Sequence, residues 1–510
     1  MMETDTQRLV DVLAWLWPAQ ATSARLDEWR PRRERCAVTL DSREAGPGVL
    51  FVAVPGVHAD GRDFVAQALE AGVGAVLCEA EALPTSVPVQ EARVLAVPGL
   101  RGQLGELGRH LFAVPASLEL IGVTGTNGKS SVTHYLAALS EALGTPAAVI
   151  GTLGVGRPQH LRPARLTTPG PLALQSALGE LSAEGVGRVA MEVSSHALEQ
   201  GRVTGCRFHA AVYTNLSRDH LDYHGSMAAY AAAKARLFQH RELALAVVNG
   251  DDRLSPLMLA GLAKGVRVLA TGTQEATTLR VIDWFPHAQG QRALIATPEG
   301  EIELDLSLLG RFNLDNVLLA IATLYGMGAE LNALFSAAAR LAPVPGRMQR
   351  LVAENAPTVV VDYAHTPDAL RNALEALRAH LPSSDGAKLW CVFGCGGDRD
   401  RGKRPLMAQA AEALADRLVI SDDNPRGEPA AAIRDEIAAG LSTDGRARAE
   451  CMGGRREAIE WTLDAAGEHD IVLIAGKGHE TYQEIAGERH PFSDIDIARE
   501  ALDRRGARQA

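Results

Sequence analysis

Short apolar runs alternate with segments of helical periodicity along most of this chain. In the first hundred residues, apolar runs at 38–40, 49–54 and 75–78 surround a helical pattern at 66–71. Buried strands of this length that alternate with helices are typical of sheets covered by helices. The pattern therefore predicts a small N-terminal α/β domain, which we assign to residues 1–105.

The same alternation continues to the C-terminus and predicts two further domains. A linker signal, Pro343-Val-Pro-Gly346, separates them. We assign residues 106–343 to a central domain with a doubly wound, mostly parallel sheet, and residues 344–510 to a C-terminal Rossmann-like α/β domain. The predicted strands are 189–193, 210–214 and 244–249 in the former, and 358–362, 388–393, 417–420 and 470–474 in the latter. The fold class is thus α/β with three domains.

One glycine-rich segment indicates phosphate binding. Gly122-Val-Thr-Gly-Thr-Asn-Gly-Lys-Ser-Ser131 follows the apolar run 118–123 and precedes a helical pattern at 132–143. A strand, a glycine turn, Lys-Ser and a helix form the layout that holds nucleotide phosphates, because backbone N–H groups and the helix N-terminus attract the anion. Lys129 adds a full charge, and Ser130 is placed to reach a phosphate-bound Mg²⁺. The glycine spacing departs from the strict P-loop, but the central domain is predicted to be of the P-loop type.

Composition excludes several classes of protein. The chain has 510 residues and a net charge of −11, whereas a nucleic-acid binder usually carries a basic surplus. No window approaches 18 uninterrupted apolar residues, and the N-terminus lacks the pattern of a secretory signal, so we expect a cytoplasmic protein without a membrane span. The six cysteines are scattered, which favours reduced thiols over zinc ligands.

Polar residues at the predicted strand ends of the central domain are candidate ligands. Glu192 closes a strand and is placed to hold Mg²⁺, directly or through water; the alternative is a solvated carboxylate. The Asp- and His-rich segment 214–224 also follows a strand and includes His220. Lys234 lies in an alanine-rich helical pattern, where composition alone favours a solvated lysine. Asn313 is an N-cap or a ligand contact, and Asn316, about one turn on, shares these two interpretations.

Polar loops follow the predicted strands of the last domain. Asp362 ends a β-branched run and is placed to accept hydrogen bonds from a ribose. A glycine-rich loop with four cations, 394–405, suggests an anion site, and two more polar loops occupy 422–426 and 476–480. Arginine suits a carboxylate and Asp or Glu suits an ammonium, so these three loops predict a pocket for a zwitterionic amino acid.

Taken together, these motifs closely resemble the Mur ligases of peptidoglycan synthesis. The resemblance covers nearly the whole chain in order. It rests on the phosphate loop and on Leu40-Asp-Ser-Arg43, Thr167-Thr-Pro169, Glu192-Val-Ser-Ser-His196, Thr214-Asn-Leu-Ser-Arg-Asp-His220, Asp362-Tyr-Ala-His365, Asp423-Asn-Pro-Arg426 and Gly476-Lys-Gly-His-Glu480.

The resemblance implies an ATP-dependent amide-bond ligase with ATP and Mg²⁺ as cofactors. ATP phosphorylates the D-Glu carboxylate of UDP-N-acetylmuramoyl-L-Ala-D-Glu, and the amino group of meso-2,6-diaminopimelate attacks the acyl phosphate. The first domain then binds the UDP-sugar, the central domain ATP, and the last domain the incoming amino acid. A monomer that acts on small molecules is expected.

The resemblance also implies the residues of each subsite. Catalytic roles fall to Lys129, Glu192, His220 and Lys234, with Ser130, Glu192, His220 and Lys234 near the metal. ATP contacts are Gly125, Thr126, Asn127, Gly128, Lys129, Ser130, Ser131, Asn313, Asn316, Arg347 and Asp362. Contacts to the UDP-dipeptide are Leu40, Ser42, Thr167, Thr168, Ser194, Gln200 and Arg202. Diaminopimelate contacts are Arg399, Asp423, Asn424, Pro425, Arg426, Gly476 and Glu480.

The resemblance gives three further positions a particular meaning. Lys234 matches a lysine that carries a CO₂-derived carbamate in the family, which reverses the expectation of a solvated side chain. Arg426 is expected to be a buried guanidinium that selects diaminopimelate over lysine through the distal carboxylate. Leu166 stands where relatives often have a polar residue. The alternatives are a lysine-adding enzyme, a related ligase such as a folylpolyglutamate synthetase or the next Mur enzyme, and a nucleotide-gated regulatory module.

Overall fold

Three main sheets, each covered by helices, form the computed structural model, which describes residues 2–56, 59–382 and 386–509. The first has the order β1-β2-β3-β4-β5 and is parallel apart from β1. Its strands are Met2–Asp5, Arg35–Thr39, Val49–Ala53, Ala75–Glu79 and Val94–Val97 (β1–β5), and its helices are Thr6–Leu16, Ser23–Trp29, Val65–Glu70 and Leu100–Leu111 (α1–α4). Short 3₁₀ helices occupy Ser42–Glu44 and Gly61–Phe64.

The second sheet has eleven strands in the order β16-β15-β14-β13-β12-β11-β6-β10-β7-β8-β9 within the described residues. These strands are Glu119–Thr124, Ala147–Gly151, Gly154–Arg157, His160–Arg162, Arg188–Glu192, Phe208–Tyr213, Leu245–Asn249, Arg267–Gly272, Leu279–His287, Gly290–Thr297 and Gly300–Leu306 (β6–β16). The helices are Lys129–Ala142, Pro171–Ala183, Ser195–Glu199, Leu221–His224, Met227–Ala235, Ser255–Leu259, Arg311–Gly326 and Leu331–Ala338 (α5–α12), with a 3₁₀ helix at Arg236–Gln239.

The centre of this sheet is parallel, as its buried apolar strands predict, whereas both margins are antiparallel. The antiparallel β14–β16 meander and the short β8 and β9 strands were not predicted. Strand β6 lies between β10 and β11, so the chain leaves β6 at the point where the strand order reverses. Loops at such a point open a crevice at the carboxyl ends of the strands, and this position places the glycine-rich loop there.

The third sheet has the order β17-β18-β22-β19-β20-β21, with only β17 antiparallel to its neighbour. Its strands are Gln349–Leu351, Thr358–Asp362, Leu389–Phe393, Arg417–Ile420, Ala449–Cys451 and Ile471–Ala475 (β17–β22), and a hairpin follows at Tyr482–Ile485 and Glu488–Pro491 (β23 and β24). The helices are Pro367–His380, Lys403–Leu414, Ala430–Ala438, Thr443–Ala447, Arg455–Ala465 and Asp494–Gln509 (α13–α18).

Apolar burial explains why these runs form strands. All five residues of β3, β19 and β22 are buried. Burying one Val, Leu or Phe side chain contributes roughly 1.5–3 kcal/mol. Polar groups are therefore displaced to the loops at the strand ends. Among the described residues, no helix is long and apolar enough to cross a membrane.

Candidate active site

The glycine-rich loop fits its surroundings only without side chains at two positions. Gly125 has φ +149° and Gly128 has φ +87°, so the backbone conformation favours glycine at both. A Cβ on Gly125 would lie 1.9 Å from Thr214 Oγ1, and a Cβ on Gly128 would lie 2.5 Å from Asn316 Oδ1. The loop is therefore held closely between the end of β11 and helix α11.

Hydrogen bonds connect this loop to the end of strand β11. Thr126 N donates to Asn215 O at 2.8 Å, and Asn127 N donates to Asn215 Oδ1 at 3.1 Å. Thr214 Oγ1 donates to Asn127 O at 2.6 Å. These contacts position the backbone of the loop, and Asn215 is a residue whose role the sequence did not single out.

Two lysines lie beside the loop. Lys129 Nζ donates to Gly125 O at 3.0 Å and to Thr126 O at 2.8 Å, and burial lowers its pKa. Lys234 is 1 % exposed, and its Nζ donates to Gly125 O at 2.7 Å. The solvated position that composition favours for Lys234 is therefore wrong. Burial, followed by the charge of Lys129, lowers the pKa of Lys234 well below its ordinary value.

Glu192 joins the loop to the neighbouring strand. It ends β10, as predicted, but it is 1 % exposed rather than solvated. Its Oε1 accepts hydrogen bonds from Ser130 Oγ and from Thr152 N, both at 2.9 Å. Mg²⁺ prefers hard oxygen ligands, and a hydroxyl and a carboxylate lie side by side at this phosphate loop, so Ser130 and Glu192 fit that ion. Thr152 was not identified from the sequence.

His220 lies at the edge of the site formed by the phosphate loop, Lys129, Lys234 and Glu192. It adopts φ +52°, its side chain is 47 % exposed, and its Nε2 lies 3.3 Å from Asp219 Oδ2. Its ring centroid is 4.9 Å from that of His196. Among the described residues, no group of three His, Cys, Asp or Glu side chains is arranged to hold a metal ion. A metal here needs oxygen ligands from a bound phosphate or from water as well.

Helix α11 places two asparagines over the loop. It begins after Gly310, so the prediction of Asn313 as the N-cap is wrong. Asn313 is 2 % exposed; its Nδ2 donates to Leu309 O at 2.8 Å and its Oδ1 accepts from Tyr135 Oη at 3.2 Å. Asn316 faces Gly128, because a Cβ added to Gly128 would lie 2.5 Å from Asn316 Oδ1. Ser131, on the opposite helix α5, is buried.

Arg347 reaches the loop from the segment that precedes the third sheet. Its Nη2 donates to Ser130 Oγ at 3.3 Å, and its guanidinium carbon lies 4.6 Å from the centroid of the Tyr363 ring. Its buried Nε has no hydrogen-bond partner among the residues that the structure describes. A buried guanidinium N–H without a partner, beside a glycine loop and a lysine, fits a phosphate group.

Asp362 uses both carboxylate oxygens to hold the backbone. Oδ2 accepts from Met348 N at 2.8 Å and Oδ1 accepts from Ala364 N at 2.9 Å. Burial raises its pKa. The residue therefore positions the Arg347 segment, and each oxygen keeps a further lone pair with which it can accept a hydrogen bond from a ribose hydroxyl.

The residues predicted to bind the UDP-dipeptide form a network beside Glu192. Thr168 Oγ1 donates to Glu192 O at 2.8 Å and accepts from Ser194 N at 3.1 Å. Thr168 O accepts from Arg202 Nη1 at 3.1 Å. Arg202 Nε donates to Gln200 Oε1 at 2.9 Å. Thr167 Oγ1 and Thr152 Oγ1 lie 3.0 Å apart.

The predicted contacts in the first sheet lie in the loop after β2. Leu40 is 39 % exposed, and Ser42 begins a 3₁₀ helix. Between them, Asp41 bonds Arg43, and this guanidinium, with a smaller effect from Arg165, lowers the pKa of Asp41 to about 2. Leu166 is 49 % exposed.

The three polar loops of the last domain converge, as predicted. Lys477 is fully buried; its Nζ donates to Asn424 Oδ1 and to Glu480 Oε2, both at 3.0 Å. Asn424 Nδ2 donates to Glu480 Oε2 at 3.0 Å. A Cβ on Gly476 would lie 2.9 Å from Asp423 Oδ2. Lys477 is a central residue of this pocket that the sequence reasoning missed, because a lysine between two glycines resembles a solvated loop residue.

Arg426 is less buried than expected. Its side chain is 21 % exposed, its Nη1 donates to Gly397 O at 2.9 Å, and its Nε lies 3.4 Å from Glu484 Oε2. The expectation of a buried guanidinium is therefore wrong. Pro425 is buried next to it, whereas Arg399 is exposed and its Nη1 donates to Asp398 O at 3.3 Å. Glu484, which belongs to the β23–β24 hairpin, was not identified from the sequence.

A continuous chain of contacts joins the glycine loop to this pocket. Arg347 bonds Ser130, and Gly346 lies so close to His479 that a Cβ would be 2.1 Å from His479 N. Gly476 N donates to Asp362 O at 3.0 Å. The two candidate subsites are therefore neighbours rather than on opposite surfaces.

Comparison with known proteins agrees with this geometry. Three family models match in order: the Mur ligase family catalytic domain at residues 36–110, the Mur ligase middle domain at 123–324, and the Mur ligase glutamate ligase domain at 346–478. This chain belongs to the Mur ligase family.

Individual Mur ligases show the extent of the similarity. A UDP-N-acetylmuramoyl-L-alanyl-D-glutamate–2,6-diaminopimelate ligase of Pseudomonas syringae pv. tomato is 48 % identical over 467 residues, which are 91 % of this chain and 94 % of that protein. A solved structure of a ligase with the same name is 39 % identical, covers 92 % of this chain and 95 % of that one, and has a TM-score of 0.68. A MurF ligase of Thermotoga maritima, solved in complex with ADP, shares the fold at 19 % identity, 93 % and 99 % coverage and a TM-score of 0.62.

Proposed function

We propose that this Mur ligase joins meso-2,6-diaminopimelate to the D-Glu carboxylate of UDP-N-acetylmuramoyl-L-Ala-D-Glu at the expense of ATP. The observation that carries the proposal is the chain of contacts from the phosphate loop through Arg347 to the Lys477–Asn424–Glu480 pocket. These contacts put the phosphate loop next to this pocket, which supports a nucleotide site beside an amino-acid site. The names of close relatives over nine-tenths of the chain support the choice of substrates.

The proposed division of labour follows the three sheets. Residues 1–105 bind the UDP-sugar, residues 106–343 bind ATP, and residues 344–510 bind the amino acid. A carboxylate is a poor acyl donor at neutral pH, and phosphorylation supplies a leaving group. Lys129, the loop N–H groups and Arg347 are placed to stabilise the negative charge on the transferred phosphoryl group.

Mg²⁺, when bound, would neutralise charge on the ATP phosphates and on the transferred group. Ser130 and Glu192 are the residues that would hold it, with His220 at the margin. Glu192 also accepts hydrogen bonds from Ser130 and Thr152, so its carboxylate positions the loop and would also supply an oxygen ligand to the metal.

The proposal includes a carbamate on Lys234. CO₂ reacts with a neutral amine, forming the N–C bond of the carbamate and releasing one proton. Burial supports this chemistry because it lowers the pKa of Lys234 and so favours the neutral amine. The product is an anion beside Lys129, whose positive charge also contributes to the low pKa of the unmodified Lys234 amine.

Recognition of the amino acid is proposed to use both signs of charge. Asp423 and Glu480 suit an ammonium, and Arg426, with Arg399 at the rim, suits the distal carboxylate that distinguishes diaminopimelate from lysine. Asn424, Pro425 and Gly476 shape the pocket floor. We also propose a monomeric, cytoplasmic enzyme, and sedimentation at working concentrations tests the first of these two properties.

A panel of acceptors tests the function. Phosphate release is measured with ATP, Mg²⁺ and the UDP-dipeptide, and with diaminopimelate, lysine, ornithine or glutamate as acceptor. We expect release that requires both the UDP-dipeptide and diaminopimelate. ATP binding without acceptor-dependent release would indicate a regulatory module instead, and equal use of lysine would refute the role of Arg426.

A further inference from the structure

The start of helix α11 packs against the last domain as well as against its own sheet. Leu309 is 1 % exposed and lies within the apolar core formed around β18, β19 and β22, and Phe312 packs against the same core. A Cβ on Gly310, which has φ +87°, would lie 3.0 Å from Ala376 Cβ on helix α13. Helix α13 therefore packs directly on the first residues of α11.

A buried histidine on α13 fastens this contact. His380 is 2 % exposed, and its Nε2 accepts a hydrogen bond from Gly310 N at 2.8 Å. Its Nδ1 lies 2.9 Å from His287 O, and a carbonyl can only accept, so the ring is the neutral tautomer with the proton on Nδ1. One side chain of the last domain thus binds both the β14–β15 hairpin and the helix start.

The hairpin side of this junction is also ordered by polar contacts. Gln291 is fully buried; its Nε2 donates to Leu308 O at 2.9 Å and to Gly310 O at 3.0 Å, and its Oε1 accepts from Trp284 Nε1 at 2.7 Å. The residues on both sides of Gly310 are therefore fixed, and the helix start cannot shift without breaking buried hydrogen bonds.

The same helix contacts the phosphate loop a turn further on. Asn313 accepts from Tyr135 Oη at 3.2 Å, on the helix that follows the loop, and Asn316 faces Gly128. An α-helix is a stiff element, so a displacement of its first residues is transmitted to these asparagines.

From this placement we propose that helix α11 couples the position of the last domain to the nucleotide site, with His380 as the positioning residue that holds the helix start. The inference rests on the proposed function for its nucleotide. It goes further in assigning a route by which the amino-acid domain and the nucleotide site affect one another. Because coupling between two sites is reciprocal, nucleotide binding also stabilises the docked position of the last domain.

Three variants separate coupling from simple destabilisation. His380→Leu removes both hydrogen bonds, whereas His380→Gln keeps one donor and one acceptor on a planar group. Leu374→Ala, on the same helix and fully buried in the core of the last domain, destabilises that domain without removing either bond. Each variant is titrated with Mg²⁺ and a non-hydrolysable ATP analogue, and its thermal unfolding is recorded.

We expect His380→Leu to weaken analogue binding about tenfold, within the usual range of coupling between sites. His380→Gln should retain the affinity, and Leu374→Ala should lower the thermal midpoint while leaving the affinity unchanged. The proposal is overturned if His380→Leu leaves the affinity intact, or if Leu374→Ala weakens binding as much.

Hydrogen exchange without any nucleotide provides an independent readout. We expect His380→Leu, but not Leu374→Ala, to accelerate amide exchange in residues 311–318 and in the loop 125–131. Unchanged exchange in both segments would contradict the coupling. Wild-type protein that binds no ATP analogue would instead refute the proposed function. Failure of the coupling proposal and failure of the proposed function are therefore distinguishable.

Discussion

Ser130 Oγ donates to Glu192 Oε1 at 2.9 Å, which ties the phosphate loop to the end of the adjacent parallel strand. The same carboxylate oxygen accepts from Thr152 N. Replacing Glu192 with Gln removes the negative charge. It also brings an amide NH₂ group next to Ser130 Oγ and Thr152 N, which are themselves hydrogen-bond donors. We expect turnover to fall about 10- to 100-fold, as is usual for groups that orient a metal site. Steady-state kinetics with Mg²⁺ varied measures this, and Glu180→Gln, in an exposed ion pair, is the control; turnover equal to wild type would contradict the role.

Lys234→Met should nearly abolish turnover, by roughly 10³-fold, because it removes the buried amine that the carbamate requires. Added bicarbonate should not restore activity. Labelling with ¹³C-bicarbonate followed by NMR should give a carbamate signal in the wild-type protein and none in the Lys234→Met variant. Lys264→Met, at an exposed position, is the matched control. A fully active Lys234→Met enzyme would refute the carbamate.

Arg426→Ala should raise the KM for diaminopimelate about 100-fold while leaving ATP affinity unchanged. The distal carboxylate would lose its cationic partner, and Glu484 would be left to repel it. Nucleotide titration together with acceptor kinetics separates the two effects. Arg401→Ala, which removes an exposed cation that is paired with Glu436, is the control. Equal losses of ATP and acceptor binding in Arg426→Ala would count against the assignment.

Gly128→Ala should both strain the backbone and displace Asn316. The positive φ alone costs about 1–2 kcal/mol, and the added Cβ meets Asn316 Oδ1 at 2.5 Å. Gly144→Ala is a close control, since Gly144 has φ +85° with nothing within 4 Å of a Cβ. We expect both variants to lower the free energy of unfolding, but only Gly128→Ala to weaken nucleotide binding, by about tenfold. Similar nucleotide affinities in the two variants would exclude the steric explanation.

Stability should fall as the pH drops below about 6.5, the ordinary pKa of histidine. Burial, followed by the charges of Arg347 and His134, lowers the pKa of His479 to about 4. The folded protein therefore binds fewer protons than the unfolded chain between pH 6.5 and 4, so folding is penalised as the pH decreases through this window. His479→Gln should remove on the order of 2 kcal/mol of this pH dependence. Denaturant unfolding at pH 7 and pH 5 measures it, with exposed His469→Gln as the control; identical pH slopes in the variant and the parent would contradict the prediction.

The pattern of buried strands and strand-end motifs determined much of this protein by itself. Short apolar runs such as 389–393, rich in β-branched and aromatic residues and followed by glycines, favour buried strands, and the polar loops then gather at the strand ends. Glu192 at the end of β10 and the convergence of Asp423, Asn424 and Glu480 follow from that rule. The glycine loop was likewise evident from local residues, because its conformation depends on glycine itself.

Tertiary structure decided what local sequence leaves undetermined. Lys234 sits in an alanine-rich helix that gives no sign of burial, and its buried position beside the carbonyl of Gly125 is decided by tertiary packing. Lys477 and His380 resemble solvated residues in the sequence, yet both are buried through contacts with residues more than fifty positions away. Such contacts arise from the order of strands and the docking of domains, neither of which is written in the periodicity of any one segment.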